Sequence, residues 1–199
     1  MKRPRVKAST PLHLTWKLRK DTVNLRCNDV LKVFKLATAR AKGYGLRVLH
    51  FSLQSNHLHL LVECKDNEAL KRGTKSLASG LGKGIRKLVG GRGRVFVGRF
   101  DLKVLVNPTT VRNAMAYVLQ NYSKHGNLLN HVDRYSSAPF FTQWRLLLGR
   151  NVGPLLEDID STFTTGAKLN RNSIQRLPHF LSPPQSWLAR EGWMRARLL

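Results

Sequence analysis

The sequence predicts an α+β domain with a ferredoxin-like split βαβ core and an antiparallel sheet, and three observations carry that prediction. Alternating segments and helically periodic segments follow one another in the order β-α-β-β-α-β up to Val106. A hydrophobic content of 42% is enough to fill a core. Beyond Gly126 the periodicity is interrupted by Pro139, Pro154, Pro178, Pro183 and Pro184, which predicts an irregular extension. The expected division is therefore a domain over residues 1–126 and an extension over 127–199 that wraps it.

Each element has its own signal. Pro11 to Leu18 alternates and reads as the first strand. Asn28 to Lys42 places Val30, Leu31, Val33, Phe34, Ala37 and Ala41 at helical spacing, with Asn28 as N-cap and Gly43 as stop. Leu46 to Gln54 and His57 to Cys64 read as two strands of a hairpin around Ser55-Asn56. Asn67 to Val89 reads as a longer helix, weakened by Gly73, Gly80, Gly82 and Gly84. Val95 to Val106 reads as a strand bent at Gly98. A further helix, capped by Thr109 or Thr110, runs to about Lys124. In the extension, Trp144, Trp187 and Trp193 are the expected anchors, and Asp158 and Asp160 read as loop acids.

Charge narrows the function. The chain carries 35 Lys and Arg against 11 Asp and Glu, a net +24. Residues 1–125 hold 26 of the cations and 6 of the acids. Such imbalance points to a polyanionic partner. Arg86, Lys87, Arg92, Arg94 and Arg99 cluster around the Gly90-Gly91-Arg92-Gly93 turn and are candidate phosphate contacts. Phe96, Phe100 and Trp16 are nearby aromatics for stacking or core packing, and Lys2, Arg3, Arg5 and Lys7 form a basic N-terminal arm. No run of about 18 uncharged apolar residues occurs, no apolar stretch follows the basic N-terminus, and no basic amphipathic helix has an aromatic face. These predict a cytoplasmic protein without a membrane role. Cys27 and Cys64 are expected to be free structural thiols.

Two local patterns could carry chemistry. In Asn56-His57-Leu58-His59 the two histidines are i and i+2 on a strand and share a face. Adjacent imidazoles can hold one divalent cation; two surface histidines are the plain structural alternative. In Tyr117-Val118-Leu119-Gln120-Asn121 the tyrosine and asparagine are i and i+4 on a helix and share a face. Tyrosine can act as a covalent nucleophile and asparagine can offer a neutral oxygen; a core tyrosine beside a helix-terminal asparagine is the alternative. His13 and His50 read as ordinary strand histidines, and Glu63 and Asp101 as acids flanking the site.

Together these patterns resemble the HUH endonucleases, and among them the single-tyrosine transposases: insertion-sequence-200-like and REP-associated tyrosine transposases. Gly93-Arg94-Val95-Phe96-Val97-Gly98-Arg99-Phe100 is similar to their Gly-Arg-aromatic-Arg-Tyr strand, and Pro11-Leu12-His13-Leu14-Thr15 looks like their first strand. Tail segments around Ser136-Ser137-Ala138 and from Trp187 to Trp193 are similar too. The chain departs at position 122, where Tyr122 stands in place of a proline found in many relatives. The Asn121 position carries Gln in some of them.

The resemblance implies an HUH endonuclease fold and a metal-dependent nicking and joining enzyme for single-stranded or hairpin DNA. His57 and His59 would bind Mg²⁺ or Mn²⁺, with Asn121 as third ligand. Tyr117 would attack the scissile phosphate and leave a 5′-phosphotyrosine and a free 3′-OH. Lys124, seven residues on, is a candidate to activate the phenol. The oligomeric state stays open between monomer and homodimer. The alternative is a non-catalytic protein of ferredoxin-like fold that binds DNA or RNA hairpins.

Overall fold

The computed structural model describes residues 4–8, 10–20, 22–125, 132–148 and 178–196, with residues 122–125 as backbone alone. Lys2, Arg3, the helix stop at Gly126, Pro154, Asp158 and Asp160 lie outside the described residues, as does the side chain of Lys124.

Four strands and three long helices follow in the order β1 (Leu12–Lys17), α1 (Asn28–Gly43), β2 (Arg47–Leu53), β3 (His57–Glu63), α2 (Asn67–Val89), β4 (Asp101–Val104) and α3 (Pro108–His125). The sheet order is β2-β3-β1-β4, and every neighbouring pair is antiparallel. This is the α+β split βαβ arrangement that the sequence predicts.

Strand alternation sorts the side chains into two layers. Leu12, Leu14, Trp16, Leu58, Leu60 and Val62 point into a core shared with Phe34 of α1 and Leu77, Leu81 and Ile85 of α2. Leu61 points the other way, into a second core with Val111, Met115 and Leu119 of α3. The described part of the C-terminal region completes this second core. Trp144 and Trp193 are both 1% exposed. Arg112 of α3, itself buried, donates to the carbonyls of Leu146, Leu147 and Ala196. α3 is thus clamped between the sheet and the tail.

α2 tolerates its glycines because they are contact points. A Cβ at Gly73 would meet Leu46 Cβ at 2.2 Å, and one at Gly84 would meet Val33 Cγ1 at 2.3 Å. The hydrogen atoms at these positions let α2 approach α1 and the turn before β2.

Several boundaries differ from expectation. Asn28 is the first helical residue of α1, and Cys27 occupies the N-cap. At α3 the cap is Asn107: its Oδ1 accepts from Thr110 N at 2.9 Å, and Pro108 takes the first helical position. The last strand is shorter than the Val95–Val106 stretch. β1 pairs Thr15 with Asp101, yet Leu18 bridges Phe96. Three steps along β1 therefore match five along its partner, and Gly98 sits in that bulge at φ 69°. Trp187 is 43% exposed, with the Arg195 guanidinium 5.4 Å above its ring, so it covers the surface and does not anchor the core. Among the described residues no helix is long and apolar enough to cross a membrane.

Candidate active site

The α3 side of the sheet gathers the polar strand residues. Antiparallel partners share a face, so the register alone assembles them. Ser52, His59, Thr15 and Asp101 form one row across β2-β3-β1-β4. His50, Leu61, His13 and Lys103 form the next row, and His57 stands opposite Lys17.

The rings make a compact group. His57 and His59 have centroids 4.8 Å apart, with perpendicular planes. Tyr117 lies 5.0 Å from His59, also perpendicular, within the same chain. His13 lies 5.3 Å from His59 and 5.8 Å from Tyr117. The structure thus brings the sequence-predicted Tyr117, His57 and His59 together. Asn121 is one helical turn beyond Tyr117 and 1% exposed.

The side-chain chemistry fits a cation. His57 Nδ1 is 2.8 Å from Asn56 Oδ1. An amide oxygen only accepts, so Nδ1 carries the proton and the lone pair is on Nε2. Both amide atoms of Asn121 are buried and have no hydrogen-bond partner among the described residues. A buried amide in that state is costly unless something else satisfies it, and a divalent cation bound to its oxygen is one such partner. Two imidazole nitrogens and one neutral oxygen make an open donor set, with positions left for phosphate oxygens. Among the described residues no three His, Cys, Asp or Glu side chains are grouped to hold a metal ion, so a cation here would depend on that amide and on the substrate.

Burial shifts His13, His50 and Cys64. His13 is pushed down to about 4, first by burial and second by the Lys103 ammonium. His50 is pushed down to about 4 by burial. Its Nδ1 is 3.2 Å from Ser137 Oγ and its ring meets Phe141 edge-on. Cys64 is a buried free thiol pushed up to about 12 by burial and by Asp66 and Glu63; Cys27 is half-buried and also free.

Not every sequence candidate joins the group. Glu63 turns away to the far end of β3. There it accepts from Gln185 N at 2.8 Å, Ser186 N at 2.9 Å and Ser186 Oγ at 2.6 Å, and pairs with Arg47 at 3.5 Å. It ties down the tail and does not flank the site. Arg86, Arg94 and Arg99 line one groove of about 520 Å³ with Trp16, Lys75 and Phe96. That groove opens at the α2 layer beside the β4 edge, on the other side of the sheet from the histidines. Lys87 is exposed and lines a separate groove between α1 and α2 with Arg40 and Lys83, Arg92 is exposed in the glycine turn, and Arg86 Nη1 donates to Gly93 O at 3.2 Å. Trp16 and Phe96 stack on one another at 4.7 Å, with Trp16 only 6% exposed. Lys17, exposed and opposite His57, is the cation nearest His57 in the register, and no sequence motif singles it out. The alternation of β1, which puts Lys17 on the face of His13 and Thr15, was the available signal.

No family model matches the chain, and no curated protein matches it. Among solved structures it is similar to a REP-associated tyrosine transposase bound to a REP hairpin. That match has a TM-score of 0.57 and 16% identity, and covers 69% of this chain and 81% of the other. A bacterial tRNA(His) guanylyltransferase-like protein in complex with ATP matches with a TM-score of 0.45 and 13% identity, covering 85% of this chain and 75% of the other. The first likeness shows a shared fold; the second carries no argument.

Proposed function

We propose that the chain is a metal-dependent single-strand DNA endonuclease and strand transferase, a transposase of the HUH single-tyrosine kind. The observation that carries the reading is the placement of Tyr117 5.0 Å ring-to-ring from His59 in the same chain, with the unsatisfied amide of Asn121 one turn away. The transposase of shared fold, bound to a REP hairpin, supports DNA as the partner. The net charge of +24 supports a polyanion independently.

In this reading His57, His59 and Asn121 hold Mg²⁺ or Mn²⁺, which supplies charge neutralisation at the scissile phosphate. Tyr117 bonds through its phenolic oxygen to phosphorus and gives up its proton. The bond from phosphorus to the 3′ oxygen breaks, and that oxygen takes a proton to become a 3′-OH. The 5′ end is left on Tyr117 as a phosphodiester. A 3′-OH from another strand then reverses the exchange and frees the tyrosine. No nucleotide cofactor is consumed, because one phosphodiester replaces another at each step. In this reading Lys17 meets a phosphate next to the scissile one, and Arg94 and Arg99 meet the strand after it has crossed the β4 edge to the α2 layer. Adjacent strands are roughly 4.8 Å apart, so Lys17 and the β4-edge loop lie within about 10 Å of His57. Residues 1–126 form the catalytic domain in this reading, and the described residues 132–148 and 178–196 of the extension brace α3 against the sheet.

The test is incubation with single-stranded hairpin oligonucleotides and Mn²⁺, followed by denaturing electrophoresis. A covalent protein–DNA species that is absent with chelator and absent in Tyr117→Phe supports the enzyme. Tight binding without any such species across the hairpins supports the non-catalytic hairpin binder.

A further inference from the structure

We propose that His13 and Thr15 are positioning residues that hold His59 as its Nδ1–H tautomer and so place its coordinating lone pair on Nε2. The inference rests on the metal-site reading above and adds to it the groups that prepare one ligand.

The evidence is a second set of contacts around His59. Its ring is 4% exposed, so its nitrogens are satisfied by protein groups or by a ligand. Nδ1 lies 3.1 Å from Thr15 Oγ1 and 3.2 Å from His13 Nε2. The register puts Thr15 directly opposite His59 and His13 on the diagonal, two residues along the same face of β1. A neutral imidazole side chain in water favours the Nε2–H form. Two oxygen or nitrogen acceptors around Nδ1 reverse that preference, because a proton there gains a hydrogen bond that the other tautomer forgoes. The Thr15 hydroxyl can accept while its own hydrogen turns elsewhere, and His13 Nε2 accepts when the His13 proton is on Nδ1. Asn56 does the same for His57. The two neighbouring imidazoles then present the same nitrogen.

His13 adds orientation. Its ring is tilted 32° to His59 and meets Tyr117 at 64°, so it packs against the ligand and the nucleophile together. Metal-binding histidines ordinarily donate their second N–H to a fixed acceptor, and loss of that acceptor typically costs 10–100-fold in affinity. Here one N–H has two acceptors. Each single loss is therefore buffered by the other, and the double loss exceeds the product of the two.

The experiment uses the full chain. Long-range ¹H–¹⁵N spectra of the metal-free protein at pH 8 report each histidine tautomer, and calorimetric titration with Mn²⁺ reports affinity. The wild type is expected to show His59 as Nδ1–H. Thr15→Val combined with His13→Phe is expected to move it to Nε2–H and to weaken Mn²⁺ about 10–100-fold. Each single variant should weaken Mn²⁺ less, and Thr15→Ser should restore wild-type behaviour. Nε2–H in the wild type, or an unmoved tautomer in the double variant, overturns the proposal. If the double variant does not fold, the wild-type tautomer decides alone. The underlying reading fails separately: a wild type that binds no Mn²⁺ sinks the metal site, whereas Mn²⁺ binding lost in His57→Ala with the His59 tautomer unmoved by the double variant sinks only the positioning role.

Discussion

Replacing Asn121 by leucine should make the metal-free protein more stable and deprive it of its metal response. The side chain is 1% exposed, and neither amide atom has a hydrogen-bond partner among the described residues. A buried polar group left unsatisfied costs about 1–3 kcal/mol. Leucine keeps the same branched skeleton of heavy atoms and has no polar atom, so Asn121→Leu recovers roughly 2 kcal/mol. For a chain of this size that raises the melting temperature by about 4–8 °C. Metal should stabilise the wild type and not the variant. A cation at a hundred times its dissociation constant stabilises the native state by about 2.7 kcal/mol, so saturating Mn²⁺ should lift the wild type to near the variant or beyond it. Differential scanning calorimetry with and without Mn²⁺ reads both effects. A variant less stable than the wild type without metal, or one that gains as much from Mn²⁺ as the wild type does, would refute the reasoning.

Four further outcomes are expected. Glu63→Ala removes the buried carboxylate that pairs with the half-buried Arg47 and leaves the Gln185 and Ser186 donors without their acceptor; a loss of about 1–3 kcal/mol in urea unfolding, with faster proteolysis in the stretch from Gln185 to Ala196, is the signature. Gly73→Ala should destabilise by about 1–3 kcal/mol because its Cβ would overlap Leu46. Gly82→Ala, which meets only the movable end of Arg86, should stabilise by up to about 1 kcal/mol; equal effects at the two sites would contradict the packing account. His50, pushed down to about 4 from 6.5, stays neutral when folded while its unfolded form protonates, so its contribution is intact above pH 6.5 and falls away toward pH 4, by up to about 3 kcal/mol. His13 acts in the same direction, and His50→Phe should flatten but not abolish that slope in acid unfolding. Arg94→Ala and Arg99→Ala should each reduce the salt dependence of DNA binding by about one unit in the log–log slope, measured by fluorescence anisotropy across a salt series.

What was legible in the sequence was what depends on local periodicity. His57 and His59 share a strand face and Tyr117 and Asn121 share a helix face, because two residues and four residues are enough to define those directions. The strand order followed from the sequence of elements. What depends on pairing between distant segments was not legible. Thr15 meets His59 only because the β1–β3 register aligns them, and a shift of one residue would have pointed Thr15 into the core. Glu63 finds its partners 122 and 123 residues away, so nothing nearby marks it as an anchor of the tail. The glycines of α2 argue against a helix when read alone; the contacts at Val33 and Leu46 that require them come from elsewhere in the chain. Charge counting located a basic stretch but not its side of the sheet. The bulge at Gly98 turns Arg94 and Arg99 toward the α2 layer, and Lys17 stands on the face with the histidines.

The central claim is that Tyr117 is the atom donor for a covalent bond to DNA. Peptide mass spectrometry after reaction with a hairpin-bearing single strand and Mn²⁺, followed by nuclease digestion, tests it directly. A 5′-linked nucleotide remnant is expected on Tyr117, and none when His57 and His59 are both alanine. A remnant on another residue, or strand cleavage that persists in Tyr117→Phe, would contradict it.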